Sequence, residues 1–152
     1  ATLATGLAQG VMLFVDYGLP RAQYYHPSRA GGTLAGFFRH RRVEDVLARP
    51  GLQDITAWVD FTAVAEAAAP AGLELAGFAT QAHFLLATGL AEELARGGEA
   101  PGMATLAERQ AAQMLLLPGE MGERFKVIGL QRGLEPEQLP QAFQLPGQRH
   151  RL

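Results

Sequence analysis

The chain has 152 residues, 48% of them hydrophobic and 18% charged, with a formal net charge of −2 at pH 7. That length and balance suit one globular domain able to bury a core. Cysteine is absent, which excludes disulfides, thiolate-ligated zinc, iron–sulfur clusters and a thiolate nucleophile. No apolar run reaches bilayer-spanning length and the first residues lack a secretory pattern, so no membrane partner and a cytoplasmic location are expected. Near-balanced charge argues against nucleic acid as a partner, although Arg21, Arg29, Arg39, Arg41, Arg42 and Arg49 crowd into one stretch.

Residues 1–8 read as the closing turns of a helix that Gly10 stops. Residues 11–15 are continuously apolar, the pattern of a strand covered on both faces within a parallel sheet. Asp16-Tyr17-Gly18 then falls at the strand's C-terminal end, the edge that faces the ligand crevice in open α/β sheets. Residues 19–50, rich in Gly, Pro, Arg and His, read as a long functional excursion with a turn at Gly31-Gly32 and a short strand at 33–38. Residues 54–59 resemble another strand, and Asp60 stands where an N-cap opens a helix with Phe61, Val64, Ala65 and Ala68 facing inward. Pro70 and Gly72 end that helix.

Residues 73–80 alternate as a strand does, and a helix is expected from about Gln81, with Phe84 and Leu85 inward and Gly89 closing it. A short surface helix spans 90–96, where Glu92 and Arg96 stand at an i,i+4 spacing before Gly97-Gly98. Thr105 and Glu108 form a capping-box signature for a helix carrying Ala107, Ala111, Met114 and Leu115 on one side up to Pro118-Gly119. Residues 125–130 make the last strand. Residues 133–152, with Pro, Gln and Arg, read as a tail beyond a 1–132 domain.

A phosphate or dinucleotide cradle needs closely spaced glycines between a strand and a helix, and no Gly-x-Gly occurs. His26, His40, His83 and His150 show no helical pairing, so no metal is expected. The only serine, Ser28, lacks the glycines of a nucleophile elbow. Asp16, Asp54 and Asp60 remain, in apolar or small-residue surroundings. A carboxylate at a strand end orients a cationic substrate by bidentate hydrogen bonds, or accepts its proton where burial raises the carboxylate's pKa. Asp60 also fits a helix cap and Asp54 a turn; Tyr17 packs or stacks; Gln81 holds a ligand or caps a helix. His40, amid Arg39, Arg41 and Arg42, carries a proton, contacts an anion, or sits in a solvated basic loop.

Five segments run in one order: Phe14-Val15-Asp16-Tyr17-Gly18; Gly32-Thr33-Leu34; the block from Pro50 through Asp54-Ile55-Thr56 to Asp60-Phe61; Thr80-Gln81 with Phe84-Leu85; and Met121-Gly122-Glu123-Arg124-Phe125-Lys126-Val127. Together they resemble the C-terminal half of the MidA-type family of S-adenosylmethionine-dependent methyltransferases, relatives of the mitochondrial complex I assembly methyltransferase. The resemblance implies an α/β, partial class I (Rossmann-like) fold, with 11–16 as fifth strand, 73–80 as sixth and 125–131 as seventh. The N-terminal half, with its glycine-rich cofactor loop, is then expected outside the chain, in keeping with the uncapped start and the missing Gly-x-Gly.

The same resemblance implies S-adenosylmethionine as cofactor, bound mainly outside this chain, and methyl transfer to an arginine of a protein substrate. Asp16, Asp54 and Asp60 are the expected catalytic residues. Tyr17, Gly18, Thr56 and Gln81 are expected to contact substrate. Alone, the fragment is expected to be inactive. The competing expectation is a stand-alone, non-catalytic interaction module that uses an exposed sheet edge and the basic loop, as a homodimer or with a partner.

Overall fold

The computed structural model describes residues 2–96, 103–144 and 152. Helix α1 (Thr2–Thr5) leads into strand β1 (Gly10–Leu19). The excursion that follows holds α2 (Arg21–Tyr24), a 3-10 turn at Pro27–Arg29 and three short strands, β2 (Ala35–Phe38), β3 (Arg41–Val43) and β4 (Asp54–Thr56). The chain then returns through β5 (Val59–Asp60), α3 (Phe61–Ala68) and β6 (Glu74–Thr80). Four helices, α4 (Gln81–Ala87), α5 (Leu90–Arg96), α6 (Met103–Leu116) and α7 (Met121–Arg124), precede β7 (Phe125–Arg132), and α8 (Gln141–Gln144) follows it.

Among the described residues two sheets result, β5-β1-β7-β6 and β3-β2-β4. Strand β7 lies between β1 and β6 and runs antiparallel to both, from Gly10↔Arg132 to Tyr17↔Phe125 on one side and from Glu74↔Gln131 to Thr80↔Lys126 on the other. The strand expected as seventh thus sits between those expected as fifth and sixth. The parallel-sheet reading of β1 is corrected: among the described residues its only parallel pairing is Gly18↔Val59 and Leu19↔Asp60 with β5. An apolar run reports burial but not the direction of its neighbours.

Burial on both faces is corrected as well. Met12 and Phe14 pack with Ile128, Leu130 and Phe78 against Phe61, Val64, Ala65 and Ala68 of α3. On the opposite face Leu13 and Val15 are 46% and 53% exposed. Capping fixes α3 as read: the Asp60 side chain accepts from the Ala63 amide, and Gly72, in the left-handed region, ends the 3-10 turn that follows.

Three further expectations change. Residues 54–59 form two strands in two sheets, because the chain breaks at Ala57-Trp58, where the Trp58 amide donates to Thr33 Oγ1 at 3.1 Å. Helix α6 starts at Met103, ahead of Thr105, whose side chain lies outside the described residues. It buries Ala112 and half-buries Leu115 and Leu116, while Ala107, Ala111 and Met114 are exposed. Within the stretch read as a tail, residues 141–144 form α8, whose Ala142 and Phe143 join Ala76 and Val127 in a second core cluster, while residues 145–151 lie outside the described residues.

Phe143 lies flat over two glycines. A Cβ on Gly77 or Gly129 would come within 2.1 or 2.3 Å of its ring, so no larger residue leaves room for it. Phe143→Ala is expected to cost about 3–5 kcal/mol, and Gly129→Ala about 1–3 kcal/mol through overpacking, both read as shifts in the urea midpoint. Unchanged midpoints would mean that α8 is not part of the cooperative core.

Candidate functional site

Because β1 and β6 share a direction, their C-terminal ends meet at one edge beside the start of β7. Register sets Asp16 opposite Lys126 and Lys126 opposite Thr80. One oxygen of the part-buried Asp16 carboxylate, Oδ1, accepts from the Tyr17 amide at 2.7 Å. Tyr17 meets Phe125 edge to face, with ring centroids 5.6 Å apart. Lys126 is buried, and its Nζ donates to the carbonyls of Glu123 and Arg124, closing the last turn of α7. Thr80 caps α4 by accepting from the His83 amide at 3.2 Å, and the buried Gln81 donates to the Leu115 carbonyl at 3.0 Å, tying α4 to α6. Gln81 therefore has a structural task at this edge.

Gly18 is there for close approach. A Cβ would fall 2.2 Å from the Val59 carbonyl oxygen and 2.9 Å from the Phe61 ring, so only glycine lets β5 lie against β1. That pairing delivers Asp60 beside Leu19. Asp60 caps α3 through Oδ1, 3.1 Å from the Ala63 amide, and pairs through Oδ2 with Arg21 Nε at 3.4 Å. The rest of the Arg21 guanidinium grips both Glu66 oxygens at 2.7 and 2.6 Å, and the Arg21 amide donates to Thr62 Oγ1 at 2.9 Å. Sequence reading missed this clasp: Asp60 and Glu66 lie 39 and 45 positions beyond Arg21, and no local spacing signals it.

The structure thus gathers Asp16, Tyr17, Gly18 and Asp60 at one edge, with Gln81 following Thr80 two strands across. It does not bring Asp54 or Thr56 there. Both belong to the small sheet, Asp54 exposed opposite Phe37 and Thr56 opposite Ala35. A surface groove lined by Glu74, Gln131, Glu135 and Phe143 among others lies at the other end of the four-stranded sheet.

Residues 1–79 match the sequence model of a family described as "Putative S-adenosyl-L-methionine-dependent methyltransferase". The chain belongs to that family. It is 33% identical over 152 residues to the mitochondrial protein arginine methyltransferase NDUFAF7 of Danio rerio, covering 95% of this chain and 33% of that protein. The Rattus norvegicus counterpart is 33% identical over 123 residues, 80% of this chain and 26% of the relative. A Burkholderia thailandensis protein crystallised with S-adenosyl-homocysteine superposes with a TM-score of 0.90 at 43% identity, covering 99% of this chain and 38% of that one. The chain therefore spans about a third or less of the length of these curated relatives.

For this methyltransferase family the cofactor is S-adenosylmethionine. Asp16 and Tyr17 offer a carboxylate and an aromatic wall at the edge where open α/β sheets bind ligands. Only Pro20 separates β1 from α2, where a cofactor loop would need several closely spaced glycines.

Two variants of the clasp are informative. Asp60→Ala is expected to cost about 1 kcal/mol by uncapping α3, and Asp60→Asn, which keeps an accepting oxygen, less. The Arg21 hydrogen bonds hold the Glu66 carboxyl below its usual value of 4.5. The stability that Glu66 adds over Glu66→Gln is therefore full above about pH 4.5 and declines below it, vanishing once the pH falls under the depressed value. Urea titrations at several pH values check this. Because the pair is exposed, added salt is expected to shrink the difference.

Proposed function

We propose that the chain forms the C-terminal part of an S-adenosylmethionine-dependent methyltransferase of class I architecture, with the glycine-rich cofactor loop carried by sequence outside it. In this reading the enzyme methylates an arginine side chain of a protein. The observation that carries it is Asp16: a carboxylate within the segment matched by the family model, at the ligand edge of the sheet. The relatives named as protein arginine methyltransferases support the choice of acceptor.

The bound cofactor would supply an electrophilic methyl group. The chain's own task is to present the acceptor. Asp16 Oδ2, which no hydrogen bond from the described residues engages, accepts from the guanidinium and turns one nitrogen toward the methyl group. The proton shed as the new N–C bond forms passes to that carboxylate and on to water. Tyr17 flanks the pocket. Asp60 and Gln81 act as positioning residues, since their side chains are already committed to Arg21, Ala63 and Leu115. Asp54 and Thr56, in the small sheet, take no assigned role in this reading.

The test uses the protein as its gene encodes it, methyl-labelled S-adenosylmethionine and a lysate from cells lacking that gene as acceptor pool. Label is expected in methylarginine of a protein. Asp16→Asn is expected to lower transfer about a hundredfold without changing the melting temperature or its upward shift with S-adenosyl-homocysteine. Label in lysine or in small molecules would overturn the acceptor, and unchanged turnover would remove Asp16 from the catalytic set.

A further inference from the structure

The excursion's basic hairpin is left without a task by methyl transfer. Strands β2 and β3 pair antiparallel with Phe38 opposite Arg41, so the turn between them is Arg39-His40. Both residues are left-handed, with φ of +48° and +61°. A two-residue turn of this kind is easiest for Asn-Gly, because a Cβ in that region costs about 1–2 kcal/mol per residue. A sequence shaped by the turn alone would not place Arg and His there, so these side chains are displayed at the fold's expense.

The display is ordered. The Arg39 and Arg49 guanidiniums lie 5.3 and 4.6 Å from the Phe38 ring centroid, and Arg41, as register partner of Phe38, projects from the same face. Phe38 thus gathers three cations. Among the described residues none of these three has a carboxylate at salt-bridge distance, since Arg21 forms the ion pairs found there. The nearby acids do not neutralise them. Asp45 accepts from the Leu47 amide at 2.9 Å, Glu44 is exposed and makes no ion pair among the described residues, and Asp54 sits on the opposite face beside Phe37.

We infer that this hairpin face is a docking surface for an acidic segment of a protein partner. Charge complementarity selects an anion, and the cation–π contacts hold two of the guanidiniums in place before it arrives. An apolar side chain fits the same face: Ile55, opposite Gly36, is 52% exposed there. Carboxylates beside an apolar group describe a peptide. A nucleic acid backbone needs a longer basic track than one turn on a chain of net charge −2. The surface is independent of methyl transfer, so its test reads binding alone.

The experiment measures fluorescence anisotropy with the protein as its gene encodes it and three labelled probes: a Glu-rich peptide containing leucine, its Lys-for-Glu counterpart, and an oligothymidylate of equal length. The Glu-rich peptide is expected to bind, more weakly as salt is added, and the other two markedly less. Arg39→Glu/Arg41→Glu is expected to weaken binding about tenfold or more. Arg39→Gly relieves the left-handed strain, so misfolding cannot explain its loss of about threefold. Absence of peptide binding at low salt, full binding by both variants, or oligothymidylate binding as tightly as the peptide would overturn the inference.

Discussion

Strand β7 is the constraint on which the rest depends. Inserted antiparallel between β1 and β6, it makes them run the same way and ties their C-terminal ends to one edge. Each end of β7 also carries a cation that donates to nearby backbone carbonyls. Lys126 serves the last turn of α7. At the far end the Arg132 guanidinium donates to the carbonyls of Gly72 at 3.0 Å, Ala71 at 2.5 Å, Ala4 at 3.0 Å and Leu7 at 2.6 Å. Those groups close α1 and the turn before β6, where buried carbonyls without donors would be costly. One strand thus sets both the sheet's direction and the seating of helices at its two ends.

Much of this was legible locally. The α3 cap at Asp60, the stop at Gly72, the strands around β6 and β7 and the candidate edge at Asp16 all follow from short-range chemistry: an acceptor before an apolar helix, a left-handed glycine, apolar runs of strand length. What escaped depends on distant partners. The 11–15 run announced two apolar faces but not that its neighbour β7 would arrive antiparallel from more than a hundred residues away. Helix α6 is apolar over much of its circumference, so the stripe through Ala112 and Leu115 differs from the expected one by a small rotation about the axis. Proline and glutamine masked Phe143, whose seat exists only because Gly77 and Gly129 come together across β6 and β7.

The candidate site divides along the same line. Asp16 was found from its place at a strand end, a property of one segment. The Arg21 clasp is a contact between the excursion and α3, and the crowding of arginines in sequence concealed that Arg21 differs from its neighbours. It is locked to Asp60 and Glu66, whereas Arg39, Arg41 and Arg49 face outward around one phenylalanine. A basic stretch that looks uniform in sequence thus splits into a structural element and a displayed one.

The base of the excursion explains how the two regions are held to one another. The chain leaves the sheet after Leu19 and returns at Val59-Asp60, paired with the residues where it left. The missing side chain of Gly18 allows that closure, and the Arg21 hydrogen bonds to Thr62, Asp60 and Glu66 hold it. Above the base, Thr33 Oγ1 joins Tyr24 and the Trp58 amide at 3.1 Å each, so the small sheet is fastened on both its incoming and outgoing strands. The hairpin is therefore joined through a short, hydrogen-bonded path to the edge that carries Asp16. Loosening the clasp frees the base of the excursion from α3, whereas altering the hairpin's charges leaves that base as it is.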